Sequence, residues 1–235
     1  MIDRIESHPC HACPERRRHL HFAKRAARLS REIESIDRRI RRRTTTLARR
    51  FDLVLEVLEE RGYVRGWELT EKGEFLRRVY NEADLLVVEA LEASVLSGLD
   101  PRDLAAVLST VVYEPRGPEI ETVAGLPTAA SRAAWASMMG LWRTIRRLEE
   151  ARGLDLTREP ESGFASRAHD WASGARLDEV LDEEDAPGDF VRVTKQLVDL
   201  LRQLEAVVDP DLRAKVRRAI ADLQRGVVAL SSSAV

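Results

Sequence analysis

Cysteine is nearly missing: 235 residues contain only Cys10 and Cys13, too few and too close together for a disulfide framework, so a reducing compartment is expected. Glycine and proline are also scarce, at 12 and 9, which excludes collagen-like, mucin-like and low-complexity chains. No apolar run approaches the ~18 to 20 residues that cross a bilayer. The opening residues MIDRIESHPC lack the apolar core of a secretory signal, so a cytoplasmic protein without a membrane partner is expected. No GxxxxGK[ST] phosphate loop, Mg²⁺-holding Asp-Glu box, HExxH or GxSxG occurs, and the chain alone is expected to have no catalytic residues and not to be an enzyme. Carboxylate groups such as Glu59-Glu60 and Asp182-Glu183-Glu184-Asp185 read as solvated faces. What is present, 44% hydrophobic and 33% charged residues, is the balance of a globular helical chain.

The net charge of −2 conceals an asymmetry. Residues 1–50 carry 15 Lys+Arg against 6 Asp+Glu, or +9, and the remaining 185 carry 23 against 34, or −11. A basic arm on an acidic body suits nucleic acid or an acidic partner, although most such runs are solvated helix faces. Within the arm, Phe22, Ala26, Leu29, Ile33, Ile36 and Ile40 follow the 4-3 spacing of a coiled-coil seam. The spacing resumes at Leu47, Phe51, Val54 and Leu58. One long helix, or two collinear ones meeting at Thr44-Thr45-Thr46, is expected over about 15–61. Some fourteen residues with two prolines precede it, so a partner for the seam is expected downstream, in another chain or in a further part of the polypeptide, and the exposed Leu29, Ile33, Ile36 and Ile40 are expected to drive self-association.

Gly62 suits a helix C′ position, and residues 63–69 read as a short hairpin turning near Arg65-Gly66. Thr70 follows as an N-cap. Helical periodicity returns from Glu74 through Leu91, with Gly98 as a stop. Asp100-Pro101 opens a helix burying Leu104, Val107, Leu108 and Val111. Pro115 to Pro127 reads as a loop. Further helices are expected over about 128–152, 165–172 and 177–181, and a last pair over about Asp189–Val208 and Asp211–Leu230.

His8-Pro9-Cys10-His11-Ala12-Cys13 places two thiols at CxxC spacing, with His19 and His21 nearby as nitrogen donors. Zinc needs four such groups in a tetrahedron, and a second CxxC or a spaced HxxxH is missing. The reading is therefore no metal, with Cys10 and Cys13 as the pair to watch.

Five separated segments carry a resemblance. They are HPCHACP, FDLVLEVLEERGYV with LTEKG, GLDPRDLAAVLSTVVYEPR, the Trp171-Ala172-Ser173-Gly174 stretch with Leu177 and Val180, and the run from Gly188 through Gln203. In this order they resemble the C-terminal DSHCT region of the superkiller-type DExH helicases, in particular the bacterial HelY-like branch. The resemblance implies a mostly α fold: a helical bundle with a partial winged helix carrying one β-hairpin and a long stalk-like N-terminal helix. It divides the chain into a stalk or arch-return segment at 1–43, the partial winged helix at 44–82 and the bundle at 83–235, with a ratchet helix at 189–208.

The function implied is an accessory region that guides single-stranded RNA or DNA past the ratchet helix. ATP and Mg would serve RecA-like motor domains of the same polypeptide, which lie outside this chain. On the ratchet helix Arg192, Lys195, Gln196 and Asp199 fall at i, i+3, i+4 and i+7, one polar stripe. Phe190, Val193, Leu197, Leu200, Leu201 and Leu204 form the apolar stripe opposite. Glu114 resembles a second strand-facing position. By the family's mechanism, polar and cationic groups would track the strand's backbone. Two other readings compete: a winged-helix transcription regulator with a coiled-coil arm, and a purely structural helical adaptor. The regulator should have a basic helix before its wing, whereas Phe51–Arg61 reads FDLVLEVLEER.

Overall fold

With neither glycine nor proline between Arg16 and Glu60, that stretch forms one 45-residue helix, α1 (Arg16–Glu60), which the three threonines at 44–46 do not interrupt. The structure, a computed structural model, describes residues 13–115, 125–182 and 186–230, with the side chains of 31 and 34–45 outside that description. Cys10, Ile36 and Ile40 thus lie outside the described side chains, as do most of the Pro115–Pro127 loop and the tail after Leu230. The chain divides into two units, Met1–Val54 and Leu55–Val235. In the first, Leu29 and Ile33 of the heptad seam are exposed, and the local ion pairs Arg18–Glu15 and Arg28–Glu32 decorate the helix surface.

The second unit starts with the last turn of α1. A Schellman closure ends it: Tyr63 N–H donates to the Leu58 carbonyl (2.8 Å), Gly62 N–H to that of Glu59 (3.0 Å), and Gly62 adopts φ +78°. The expected hairpin follows as β1 (Val64–Arg65) and β2 (Glu68–Leu69), antiparallel, pairing Val64 with Leu69 and Arg65 with Glu68. Gly66 takes φ +61° at the first turn position, where a two-residue connection favours glycine. Thr70 then caps α2 (Glu71–Leu76), its Oγ1 accepting from Gly73 N–H at 3.1 Å. Glycine is required at 73, since a Cβ there would sit 2.1 Å from the Tyr63 carbonyl oxygen.

The continuous helix expected from Glu74 is instead broken, with α3 (Asp84–Glu92) starting afresh. Asn81 makes the break: its Oδ1 accepts from Ala83 N–H (2.8 Å) and its carbonyl from Asp84 N–H (3.1 Å), offering the backbone a turn in place of the helix ladder. Beneath the hairpin, the carboxylate of Glu89, only 4% exposed, collects Arg61, Lys72 Nζ (2.7 Å) and Tyr63 Oη (2.8 Å). Burial pushes this carboxyl up, but hydrogen bonds from Arg61, Lys72 and Tyr63 outweigh it and hold Glu89 below its ordinary value. Burial, then the hydrogen bond to Glu89, pushes the Tyr63 phenol well above its own. The cluster ties the end of α1, the hairpin, α2 and α3 together.

The core centres on α4 (Pro101–Val112), which buries ten of its twelve residues. Asp100 caps it, accepting from the N–H groups of Arg102 and Asp103 at 2.9 Å each. A helix buried all round has to satisfy its polar side chains internally. Ser109 and Thr110 do so by donating to the Ala106 and Val107 carbonyls at 2.7 Å. Around α4 pack α5 (Ala129–Arg152), α6 (Ala165–Ala172), α8 (Pro187–Glu205) and α9 (Pro210–Leu223). A 3₁₀ turn (Ser162–Phe164) leads into α6, and the short α7 (Leu177–Val180) follows it. All six residues of the expected apolar stripe on α8 are buried, each worth about 2–5 kcal/mol against truncation to alanine.

The last helix is also shorter than the sequence suggests, because α9 stops at Leu223 and α10 (Gly226–Leu230) begins separately. Trp171 explains this. Its Nε1–H donates to the Leu223 carbonyl (2.9 Å), Arg225 lies 3.6 Å over its ring and donates to its carbonyl, and Gly226, at φ +50°, packs where a Cβ would come within 3.3 Å of the indole. From Trp171 an aromatic chain runs through Phe190 (5.3 Å) and Phe164 (5.6 Å) to Tyr113 (5.6 Å), joining α6, α8 and the end of α4. Among the described residues the architecture is thus mostly α, about 70% helical, with one two-stranded antiparallel hairpin.

Candidate nucleic-acid interface

Because the apolar stripe of α8 faces α4, its polar stripe is left facing outward, and there it borders a groove of about 390 Å³. Arg192, Gln196, Asp199 and, one turn further, Gln203 form one wall. The C-terminal end of α4 contributes Val111, Val112 and Glu114 to the groove lining, joined by Arg158. The loop before α3 adds Tyr80, Asn81 and Glu82. Of the five strand-facing residues expected from the sequence, four therefore share one groove. Lys195 is half-buried on the same helix and does not line it.

The groove is held by its own polar contacts. Arg192 donates through Nε and Nη2 to Asp189 Oδ1 (3.0 and 2.8 Å) and through Nη1 to Gln196 Oε1 (2.9 Å). Arg158 donates to the carbonyls of Tyr113 and Val111, the latter at 3.1 Å, and its Nε lies 3.6 Å from Glu114. Asp199 and Arg202 form an exposed pair at 3.5 Å. Gln203 Oε1 accepts from Tyr80 N–H at 2.6 Å, bridging α8 to the loop 123 residues earlier.

Three carboxylates (Glu82, Glu114, Asp199) and two guanidiniums (Arg158, Arg192) line the groove, a formal charge of −1. The groove is thus acceptor-rich, and both its cations are engaged by carbonyl, amide or carboxylate oxygens. That chemistry fits hydrogen-bond donors of a ligand, such as base amino groups or ribose hydroxyls, better than bare phosphates.

Sequence reasoning missed Tyr80, Arg158 and Gln203. Gln203 was within reach, since it continues the 192–196–199 stripe by another four residues. Tyr80 falls inside the stretch read as helical from Glu74 to Leu91, where nothing set it apart, and Arg158 lies outside any periodic segment; no spacing marks either. Among the described residues no group of three or more His, Cys, Asp and Glu is placed to hold a metal ion. Cys13 is half-buried, with its Sγ 3.6 Å from His19 Nδ1. No described helix is long and apolar enough to cross a membrane.

Residues 66–231 match the family model of the DSHCT (NUC185) domain. The chain is 40% identical over 229 residues to the probable helicase HelY of Mycobacterium leprae, covering 91% of this chain and 25% of that protein. To the probable helicase HelY of Mycobacterium tuberculosis (strain H37Rv) it is 35% identical over 246 residues, 98% of this chain and 27% of the relative. The exosome RNA helicase MTR4 of mouse is 23% identical over 241 residues, 97% of this chain and 23% of the relative. The chain spans about a quarter of the length of the curated relatives it matches. A family match over most of the chain, on a helical bundle whose order of elements fits the segments that suggested it, shows that this chain belongs to the DSHCT domain family.

Proposed function

We propose that this chain is the nucleic-acid-binding accessory region of an ATP-dependent DExH helicase and that α8 acts as its ratchet helix, with a single strand of RNA or DNA passing along the groove. The observation that carries the reading is the convergence of Arg192, Gln196, Asp199 and Glu114, from two distant stretches of sequence, on one groove. Relatives named as helicases support it. In this reading the RecA-like motors belong to the same polypeptide, in the cytoplasm, and residues up to about 43 form the arm returning from a stalk. Residues 44–82 close a winged helix, and 83–235 form the bundle that encloses the strand. An acceptor-rich groove of charge −1 does not suit a triphosphate, so ATP and Mg²⁺ are assigned to the motors. The bundle contributes positioning and directionality, with no bond chemistry of its own.

The triple variant Arg192→Ala, Lys195→Ala, Gln196→Ala tests this. Single-strand affinity should fall roughly equally across sequences if the lost contacts are to the backbone. Each lost phosphate contact should lower the salt slope by about 0.7, and lost base or ribose contacts should lower affinity with the slope unchanged. Stability should move by about 0.5 kcal/mol for each exposed substitution, and by about 1 kcal/mol for Arg192, which gives up its hydrogen bonds to Asp189 and Gln196. Filter binding across a salt series, beside unwinding by the intact helicase, reads all of these. Unchanged affinity, slope and unwinding would return the chain to a structural adaptor.

A further inference from the structure

The residue on this groove with no assigned role is Tyr80. Tyr80 is 80% exposed, whereas Tyr113, at the end of α4, stacks on the buried Phe164. Exposure here does not come with a loose backbone. Tyr80 N–H donates to Gln203 Oε1 at 2.6 Å, the preceding Val79 is 2% exposed, and Asn81 closes the following turn through Ala83 and Asp84. An aromatic ring is thus presented to solvent from a pinned backbone, at the edge of a groove whose polar lining is rich in acceptors.

We propose that Tyr80 is a base-stacking platform, receiving the face of one nucleobase while that base's amino or imino edge, or its ribose hydroxyl, turns toward the carboxylates of Asp199 and Glu114. Resting on the proposed strand-binding role, this deepens it by naming the contact that the charge balance favours. With a formal charge of −1 the groove gains little from phosphate, whereas every base offers a π face whatever its identity. Gln203, which anchors the loop through the Tyr80 backbone, is a positioning residue on the same helix as Arg192.

The test uses the 235-residue chain with 5′-labelled oligouridine and oligoadenosine, an abasic strand of equal length, and a strand carrying 2-aminopurine, whose fluorescence stacking quenches. Wild type should bind the base-containing strands more tightly than the abasic one and quench 2-aminopurine. Tyr80→Ala should weaken binding to the base-containing strands roughly five- to a hundredfold and abolish the quenching, leaving abasic binding and the salt slope unchanged. Tyr80→Phe, which keeps the ring and loses the hydroxyl, should retain both affinity and quenching. Wild-type binding with Tyr80→Ala indistinguishable in affinity and quenching would overturn the stacking role alone. A loss shared by Tyr80→Phe would overturn it too, since the hydroxyl rather than the ring would then make the contact. Failure of wild type to bind any strand would overturn the strand-binding role itself, and the stacking role with it.

Discussion

Replacing Glu89 tests what holds the hairpin to the bundle. In the native fold its carboxylate is 4% exposed and faces two cations and a phenol, so Glu89→Ala leaves Arg61 and Lys72 without their shared counter-ion and Tyr63 Oη without its acceptor. Removing one side of a buried ion pair costs about 3–5 kcal/mol. The two cationic side chains are 27% and 22% exposed and can recover some hydration, which places the expected loss near the lower end, about 3 kcal/mol. In a unit of roughly 180 residues, each kcal/mol shifts Tm by about 2–4 °C, so a fall of about 6–12 °C is expected.

The pH dependence carries a sign of its own. Glu89 is held below its ordinary value in the fold, so its contribution is present above the unfolded carboxyl pKa of about 4.3. It is lost as pH falls through the lower folded value. Wild type should therefore lose stability across that acid window, and Glu89→Gln, which keeps the shape and cannot ionise, should lose this part of the dependence. Urea unfolding followed by circular dichroism at pH 7 and at several points below pH 5 measures both. A loss under about 1 kcal/mol for Glu89→Ala, or an acid limb in Glu89→Gln identical to that of wild type, would refute the reasoning.

Two further outcomes are expected. Ser94 ends α3 at φ +56°, in the left-handed position where glycine is at ease, and Ser94→Gly should raise stability by about 0.5–1 kcal/mol in the same unfolding assay. Destabilisation there would mean that the serine side chain matters more than the backbone strain. The exposed Leu29 and Ile33 of α1 should make the chain self-associate with rising concentration, and Leu29→Arg with Ile33→Arg should shift sedimentation toward monomer. A wild type that sediments as monomer throughout would count against the seam.

Local chemistry made much of the fold legible. Thr70, Asp100 and Thr128 accept from the first backbone N–H groups of their helices, as their types and positions suggest, and Gly62, Gly66 and Gly153 take the positive φ that a helix end or tight turn requires. Periodicity alone separated the buried stripe of α8 from its polar face, because a helix repeats every 3.6 residues wherever it sits. The same stripe would have yielded Gln203 had it been followed one turn further.

Two breaks were not legible. The helix through Glu74 stops at Leu76, where a local turn at Asn81 and the Tyr80 N–H bond to Gln203 replace the ladder, and the last helix yields after Leu223, where Trp171 pulls the chain out of it. Trp171 decides the second break from more than fifty residues away, through one hydrogen bond, one stacked guanidinium and a close contact with Gly226.

Helix and cap chemistry depends on neighbours a few positions apart, so the sequence by itself determined that this protein is a helical bundle with one hairpin and that one face of α8 is polar. A groove depends on which distant segments the core brings together. Only packing around α4 gathers Glu114 and Arg158 into one groove with Arg192, Gln196 and Asp199, and the Gln203 bridge, with buried Val79 and the Asn81 turn, fixes Tyr80 at their edge. The charge of that groove was likewise invisible beforehand, because a sequence counts charges along the chain, whereas a ligand meets the sum that the fold gathers in one place.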